Sequence, residues 1–182
     1  RVISKVLINQ LIAPIIFVYF NDKLCLFDLK NMQNKILNFN NFNIYILLVL
    51  LIDILIMSLC QSIYFYLVHR IFHTRLLYKK IHYIHHINNI TIPYTALDAH
   101  IVEHIIINIL SVLIGLNFWD CHKESFIIWI WISTLTTVKA HSCIIRKDKP
   151  ETHDLHHLLK NVNYGSGYTF MDKIFNTYKK SN

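Results

Sequence analysis

Several things are scarce in this chain of 182 residues, and each scarcity closes a possibility. Charged residues make up only 16% and hydrophobic residues 54%, a balance too apolar for an ordinary soluble domain, so a membrane protein is the default. Glycine and proline occur three times each beside an excess of Ile and Asn; this resembles an AT-rich coding bias and carries no functional weight. The four cysteines, Cys25, Cys60, Cys121 and Cys143, show no CxxC spacing, so neither a disulfide framework nor a thiolate zinc site is expected. No haem-attachment CxxCH, no glycine-rich dinucleotide fingerprint and no room for a flavin domain are found. A basic segment, a short apolar stretch and a small-residue cleavage site do not occur in that order, so no removable signal peptide is expected. Because the chain starts at Arg1, its single expected domain, 1–182, is read as open at the N-terminus.

What is abundant is histidine, twelve in all. A neutral imidazole is costly to bury unless both ring nitrogens find partners, so twelve in so apolar a chain need a reason.

Crossing hydrocarbon takes about 20 mostly apolar residues. Ile44 to Val68 meets this despite Asp53, whose charge would cost roughly 2.5–3.5 kcal/mol at mid-bilayer and is therefore expected to face other helices. Val6 to Phe20, with Pro14 inside, reads as a second span, and Ile101 to Trp119 with Ser125 to Lys139 as a helical hairpin turned by "DCHKE". The expectation is an all-α polytopic membrane protein with four spans and a histidine-rich helical cap. Threading the spans places residues 69–100 and 140–182 on one side, with most of the lysines and arginines. The positive-inside rule makes that side cytoplasmic. The net charge of +7 then reflects anionic headgroups, and no soluble basic face for nucleic acid is apparent.

That topology also sorts the histidines: all but His122, which reads as a plain surface residue, fall at one membrane level. His69 and His73 in "HRIFH" stand four apart and so share a helix face. His82, His85 and His86 in "HYIHH" span an arc of about 100°, enough to serve one centre or two adjacent ones. "HDLHH" repeats this with His153, His156 and His157; His141 brings the set to nine, and His100 would make ten. One tetrahedral zinc uses four, so two metals with five or six ligands each would use the whole set. His104, one turn inside a span, is as readily structural as ligating. "HIVEH", His100 to His104, also fits a zinc-protease pattern with Glu103 as base, but it leaves the other clusters idle.

These residues resemble the fatty acid hydroxylase and sterol desaturase superfamily of membrane di-iron oxygenases, with boxes "HRIFH", "HYIHH" and "HDLHH". "YKKIH", Asn88, "AHIVE", "HS" at 141, "NVNYG" and "MDKIFNTY" extend the likeness over about residues 64–178, closest in detail to the 4-methyl sterol oxidase branch. Ile101, Cys143, Asn176 and a short connector at 142–152 depart from the pattern. The resemblance implies two iron ions (zinc when overexpressed) that activate dioxygen against a C–H bond of a sterol or long-chain acyl lipid. It also implies electrons from NAD(P)H through a cytochrome b-type donor and its reductase, in the endoplasmic reticulum or an equivalent internal membrane with the site facing the cytosol. Asp154, Glu103, Asp98 and Asn163 are candidates to orient the ligands, and Asp172 and Asn176 to organise the closing turn. A non-catalytic lipid-binding or scaffold relative and a metal transporter are the alternatives. Hydroxylation and desaturation stay open.

Overall fold

The computed structural model describes residues 2–24, 36–37, 43–88, 91–142, 152–166 and 168–180, and every element among them is helical. Cys25 and Cys143, most of the expected loop at 21–43 and most of the connector at 142–152 lie outside the described residues.

The longest element is α2 (Ile44–Phe72), 29 residues whose first turn is capped by Asn43, its Oδ1 accepting from the Ile46 N–H at 3.2 Å. At 1.5 Å per residue it is roughly 43 Å long, against a hydrocarbon core of about 30 Å. It is therefore long enough to cross the apolar slab and extend past it, and His69 stands in its last turn. The side-chain distribution inverts that of a soluble helix. Leu47, Leu48, Leu51, Leu55 and Leu59 are exposed, while Asp53, Ser58, Gln61, Ser62 and His69 are buried. An apolar outer face with polar groups turned inward suits a helix solvated by lipid.

The first helix, α1 (Val2–Leu24), packs against the 3-10 turn Pro93–Leu97 and the segment after it. Asn9 Nδ2 donates to the Ala99 carbonyl at 2.9 Å and Lys5 Nζ to Asp98 at 2.6 Å. These bonds tie the N-terminal helix to the cap.

The expected four spans are corrected to two. Only α1 and α2, among the described residues, are long and apolar enough to cross a bilayer. The other two regions are helical, but shorter or less apolar. The first, α4 (Ile101–Asn117), changes winding three times, from α at Ile101–Glu103 to π at His104–Ile109, back to α at Leu110–Leu113, and to 3-10 at Ile114–Asn117. The second, α5 (Lys123–Ala140), carries Lys123, Glu124 and Lys139 near its ends and five hydroxyl residues between. Both pack on α2 around Met57, Cys121, Phe126 and Trp129. Gly115 permits the approach, since a Cβ there would lie 2.5 Å from Met57 Sδ.

Asp53 does face its neighbours. It accepts from Trp119 Nε1 at 2.7 Å, from the His122 N–H at 3.2 Å and from His122 Nδ1 at 2.9 Å. His122 is thus not a plain surface residue: it closes the turn between α4 and α5 on the carboxylate that α2 buries. Two short helices complete the opposite end with α3 (Arg75–Lys80), namely α6 (Thr152–Leu159) and α7 (Phe170–Ile174).

Candidate metal centre

At the C-terminal end of α2 the chain gathers nine imidazoles into two groups. His69, His73, His82, His86 and His156 form one and His85, His141, His153 and His157 the other, each with its ligand nitrogens within 4.8 Å of one another. α-Helical spacing explains the division in α2 and in the HDLHH box, and the HYIHH box divides the same way although it is wound as a 3-10 helix, His82–Ile87. The i, i+4 pairs stay together, 69 with 73, 82 with 86, and 153 with 157, whereas the i+3 residue of each HxxHH box crosses to the other group. Each HxxHH box therefore feeds both groups. The tenth candidate, His100, joins neither; it caps α4, its Nδ1 accepting from the Val102 N–H at 3.2 Å. His104 is also outside them, with Nδ1 3.0 Å from Asn108 Nδ2 and Nε2 3.3 Å from Gln10 Nε2. The two histidines of "HIVEH" thus share no group, and its glutamate is engaged elsewhere.

Hydrogen bonds fix which ring nitrogen carries the proton. A carbonyl can only accept, so Nδ1–H is the donor from His69 to Tyr164 O at 2.7 Å, from His156 to Val162 O at 2.7 Å and from His141 to Thr137 O at 3.0 Å. In a neutral imidazole the other nitrogen is then a bare lone pair. Glu103 Oε1 does the same for His82, accepting from Nδ1 at 2.8 Å. The Nε2 atoms of His69 and His82, 3.1 Å apart, consequently point lone pairs at each other. His82 Nε2 also lies 2.9 Å from His73 Nε2 and 3.0 Å from His86 Nε2. One nitrogen can share at most one proton, so protein hydrogen bonds do not account for this contact set.

A cation among them does. Two nitrogens about 2.1 Å from one ion, subtending 90–109°, are about 3.0–3.4 Å apart, and the second group also matches, with His141 Nε2 at 3.3 Å from His85 Nε2 and 3.0 Å from His153 Nε2. His157 Nε2 and His86 Nδ1 are buried with no hydrogen-bond partner among the described residues. Burial and the neighbouring imidazoles push His73 down to about 2 and His157 to about 3, and hold His82, His85, His86, His153 and His156 far below the usual range. Uncharged rings with converging lone pairs are a donor set suited to divalent transition metals.

Of the four expected orienting residues, only Glu103 bonds a clustered histidine. Asp154 accepts from Thr91 Oγ1, Asp98 from Lys5, and Asn163 pins the C-terminal segment, its Nδ2 donating to Lys179 O at 2.9 Å and its Oδ1 accepting from the Lys179 N–H at 2.8 Å. Three backbone carbonyls take the role instead. The one at Tyr164 is held by Asp172, whose carboxylate accepts from the Tyr164 N–H at 2.8 Å, the Gly165 N–H at 2.9 Å and Thr177 Oγ1 at 2.8 Å. A Cβ at Gly165 would lie 2.6 Å from Tyr168 O and 2.8 Å from Asp172 Oδ2, so this turn needs glycine. Asn176, with φ 55°, lies just before Thr177 in the closing turn.

Beside both groups lies a cavity of about 170 Å³, reached by His69, His82, His85, His141 and His153 and lined further by apolar side chains such as Phe65, Ile107, Trp129 and Ile132 and by polar ones such as Gln61, Glu103 and Ser133.

The fatty acid hydroxylase family matches residues 54–177. The chain is 34% identical over 117 residues to human fatty acid hydroxylase domain-containing protein 2, covering 63% of this chain and 35% of that protein. It is 34% identical over 134 residues to a putative methylsterol monooxygenase of Dictyostelium discoideum, covering 67% of this chain and 48% of that protein. It is 28% identical over 144 residues to a very-long-chain aldehyde decarbonylase of Oryza sativa subsp. japonica, covering 72% and 54%. The chain thus spans between 35% and 54% of the length of these relatives. No single branch stands out among them, and no solved structure matches.

Proposed function

We propose that this chain, which belongs to the fatty acid hydroxylase family, is an iron- and O2-dependent lipid oxidoreductase. It would act as one membrane-embedded domain, residues 1–182, with its histidine end toward the cytosol of the endoplasmic reticulum or an equivalent internal membrane. The observation that carries the reading is the pair of interlocked imidazole groups. His69, His73, His82, His86 and His156 would hold one iron, and His85, His141, His153 and His157 the other. Bound there, two irons would supply the redox chemistry that activates dioxygen toward an unactivated C–H bond. Hydroxylation converts RH, O2, two electrons and two protons to ROH and water; desaturation takes the same inputs to an alkene and two waters.

The chain's own part is to orient and to exclude. Glu103 and the carbonyls of Tyr164, Val162 and Thr137 hold four imidazoles with their lone pairs inward. Phe65, Ile107, Trp129 and Ile132 keep bulk water from the cavity and match an apolar substrate. Two electrons per turnover would come from NAD(P)H through a cytochrome b-type donor and its reductase. The substrate class is a sterol or a long-chain acyl lipid. "YKKIH" and "AHIVE" support oxidation at a sterol 4-methyl group, as do the methylsterol monooxygenases among the relatives.

The test supplies membranes bearing the protein with NAD(P)H, the electron donors and either 4-methyl sterols or long-chain acyl lipids, under ¹⁸O-labelled dioxygen. Expected is a product heavier by one labelled oxygen or lighter by two hydrogens, abolished in His85→Ala and His156→Ala. A protein that binds two reducible irons yet converts neither class would be the non-catalytic lipid-binding relative instead.

A further inference from the structure

A second cavity, of about 350 Å³, lies between α1, α4 and α5, where Phe17, Val18, Ile109 and Ile130 line it. It shares a wall with the cavity beside the histidines, because Gln61, Phe65, Asn108, Ser133 and Thr137 line both. The polar groups of that wall are nearly all spent. Thr137 Oγ1 donates to the Ser133 carbonyl at 2.9 Å, Asn108 Nδ2 faces His104 Nδ1 at 3.0 Å, and Ser133 Oγ donates to Gln61 Oε1 at 3.0 Å. Nearby, Ser58 and Ser62 return their hydroxyls to carbonyls of their own helix. Among the donor groups of that wall, what remains is the amide nitrogen of Gln61, a residue only 8% exposed. It has no hydrogen-bond partner among the described residues. An N–H donor left unpaired in so buried a place is unfavourable unless something bound there accepts from it.

The lining also states what that acceptor is not. No lysine or arginine lines either cavity among the described residues, and metals at the histidines would lie about 12 Å further along α2, eight residues from Gln61 to His69, so a carboxylate or phosphate accepting from Gln61 would be buried without a counter-charge beside it. The acceptor is an uncharged oxygen. We infer that Gln61 is a specificity-determining residue that donates to the hydroxyl or carbonyl oxygen of a neutral lipid lying in the cavity beside the histidines, with Ser133 fixing the rotation of the amide. The inference rests on the proposed reading that this cavity receives the substrate, and it narrows the class to uncharged oxygen-bearing lipids. A carboxylate or phosphate does not suit the position that faces Gln61.

The same chemistry occurs in a sterol and in a long-chain alcohol, so the experiment has two arms. Metal-loaded protein in detergent is incubated with equal amounts of 5α-cholestan-3β-ol and 5α-cholestane, or of 1-hexadecanol and hexadecane. After gel filtration the retained lipids are extracted and quantified by mass. A single added hydrogen bond corresponds to a preference of about fivefold. Wild type should retain the oxygen-bearing member by that margin over Gln61→Met in at least one arm, which names the lipid class. Gln61→Met should keep full retention of the hydrocarbon, and Ser133→Ala should give an intermediate ratio. An unchanged preference in Gln61→Met, or no difference between wild type and both variants in either arm, overturns the inference. If Gln61→Met fails to fold, Ser133→Ala still decides it, since an unaltered ratio there shows that the amide is not what selects. Retention needs no turnover. Preference without conversion would leave the inference standing and sink the oxidoreductase reading, and conversion without preference would do the reverse.

Discussion

Replacing Glu103 by glutamine should loosen one metal and spare the other. Glu103 Oε1 accepts from His82 Nδ1 at 2.8 Å, and His82 is the hub of the five-histidine group, its Nε2 within 3.1 Å of three other ring nitrogens. Glutamine keeps an acceptor of the same shape, so His82 stays in place. What it removes is the ionisable carboxyl: burial and then Asp98 push Glu103 up in the metal-free protein, a cation at His82 would favour its ionised form, and the charge-assisted hydrogen bond then made is roughly twice as strong as a neutral one. Changes to such partners typically reduce metal affinity 10- to 100-fold, or about 1.4–2.7 kcal/mol. None of the four histidines of the other group bonds Glu103. Competition with a chelator, followed by metal analysis, should therefore show two equivalents held in wild type, and one released at a 10- to 100-fold lower chelator level in Glu103→Gln. His122→Ala, at the far end of α2, should behave as wild type. Equal weakening of both metals, or of neither, would refute the assignment of Glu103 to a single centre.

The metal-free protein should lose stability on acidification. With His157 held at about 3 when folded against about 6.5 when unfolded, its contribution is complete above pH 6.5. It falls by about 1.4 kcal/mol per pH unit as the pH drops toward 3. Thermal melts of chelated protein from pH 8 to 5 check this, and a flat profile would count against neutral buried imidazoles. Gly165→Ala should disturb the turn that presents the Tyr164 carbonyl to His69, at a cost of about 1–3 kcal/mol; metal retention indistinguishable from wild type would show the turn to be dispensable. Single-cysteine probes in sealed vesicles should label Ser142→Cys from the cytosolic side and Ile36→Cys, exposed between the two spans, from the opposite one. The reverse pattern would put the histidines across the membrane from their proposed electron source.

The helices were legible because apolar runs are local. The run read as Ile44 to Val68 folds as Ile44–Phe72, and the run read as Val6 to Phe20 as Val2–Leu24. The misjudgement concerned what a run can cross. Residues 101–119 and 125–139 have the length of short spans, yet α4 rewinds through a π segment and α5 ends on charged residues. Hydropathy counts side chains and is blind to winding. His122 was misjudged for a related reason: its partner Asp53 lies 69 residues earlier, and no local pattern connects them.

In the site, side chains were legible and their supports were not. The three expected carboxamide or carboxylate partners that bond elsewhere, Asp154, Asp98 and Asn163, were plausible because such groups are the ones a sequence displays. Backbone carbonyls do the same work at Tyr164, Val162 and Thr137, and every residue has one. Spacing alone also left one centre or two open for each HxxHH box, and the structure shows why the box has three histidines. An i, i+4 pair on an α-helix, such as His153 and His157 in α6, converges on one point. The residue at i+3, His156, stands about 60° behind the pair's first member around the α-helix and about 100° behind its second, and so reaches past to the neighbouring group. A box of two would serve one centre. Adding the third lets a short helical segment brace both, in the α-helical box His153–His157 and again, with 3-10 winding, in His82–His86. Oxygen chemistry that needs two metals at a fixed distance would have that distance built into the box itself.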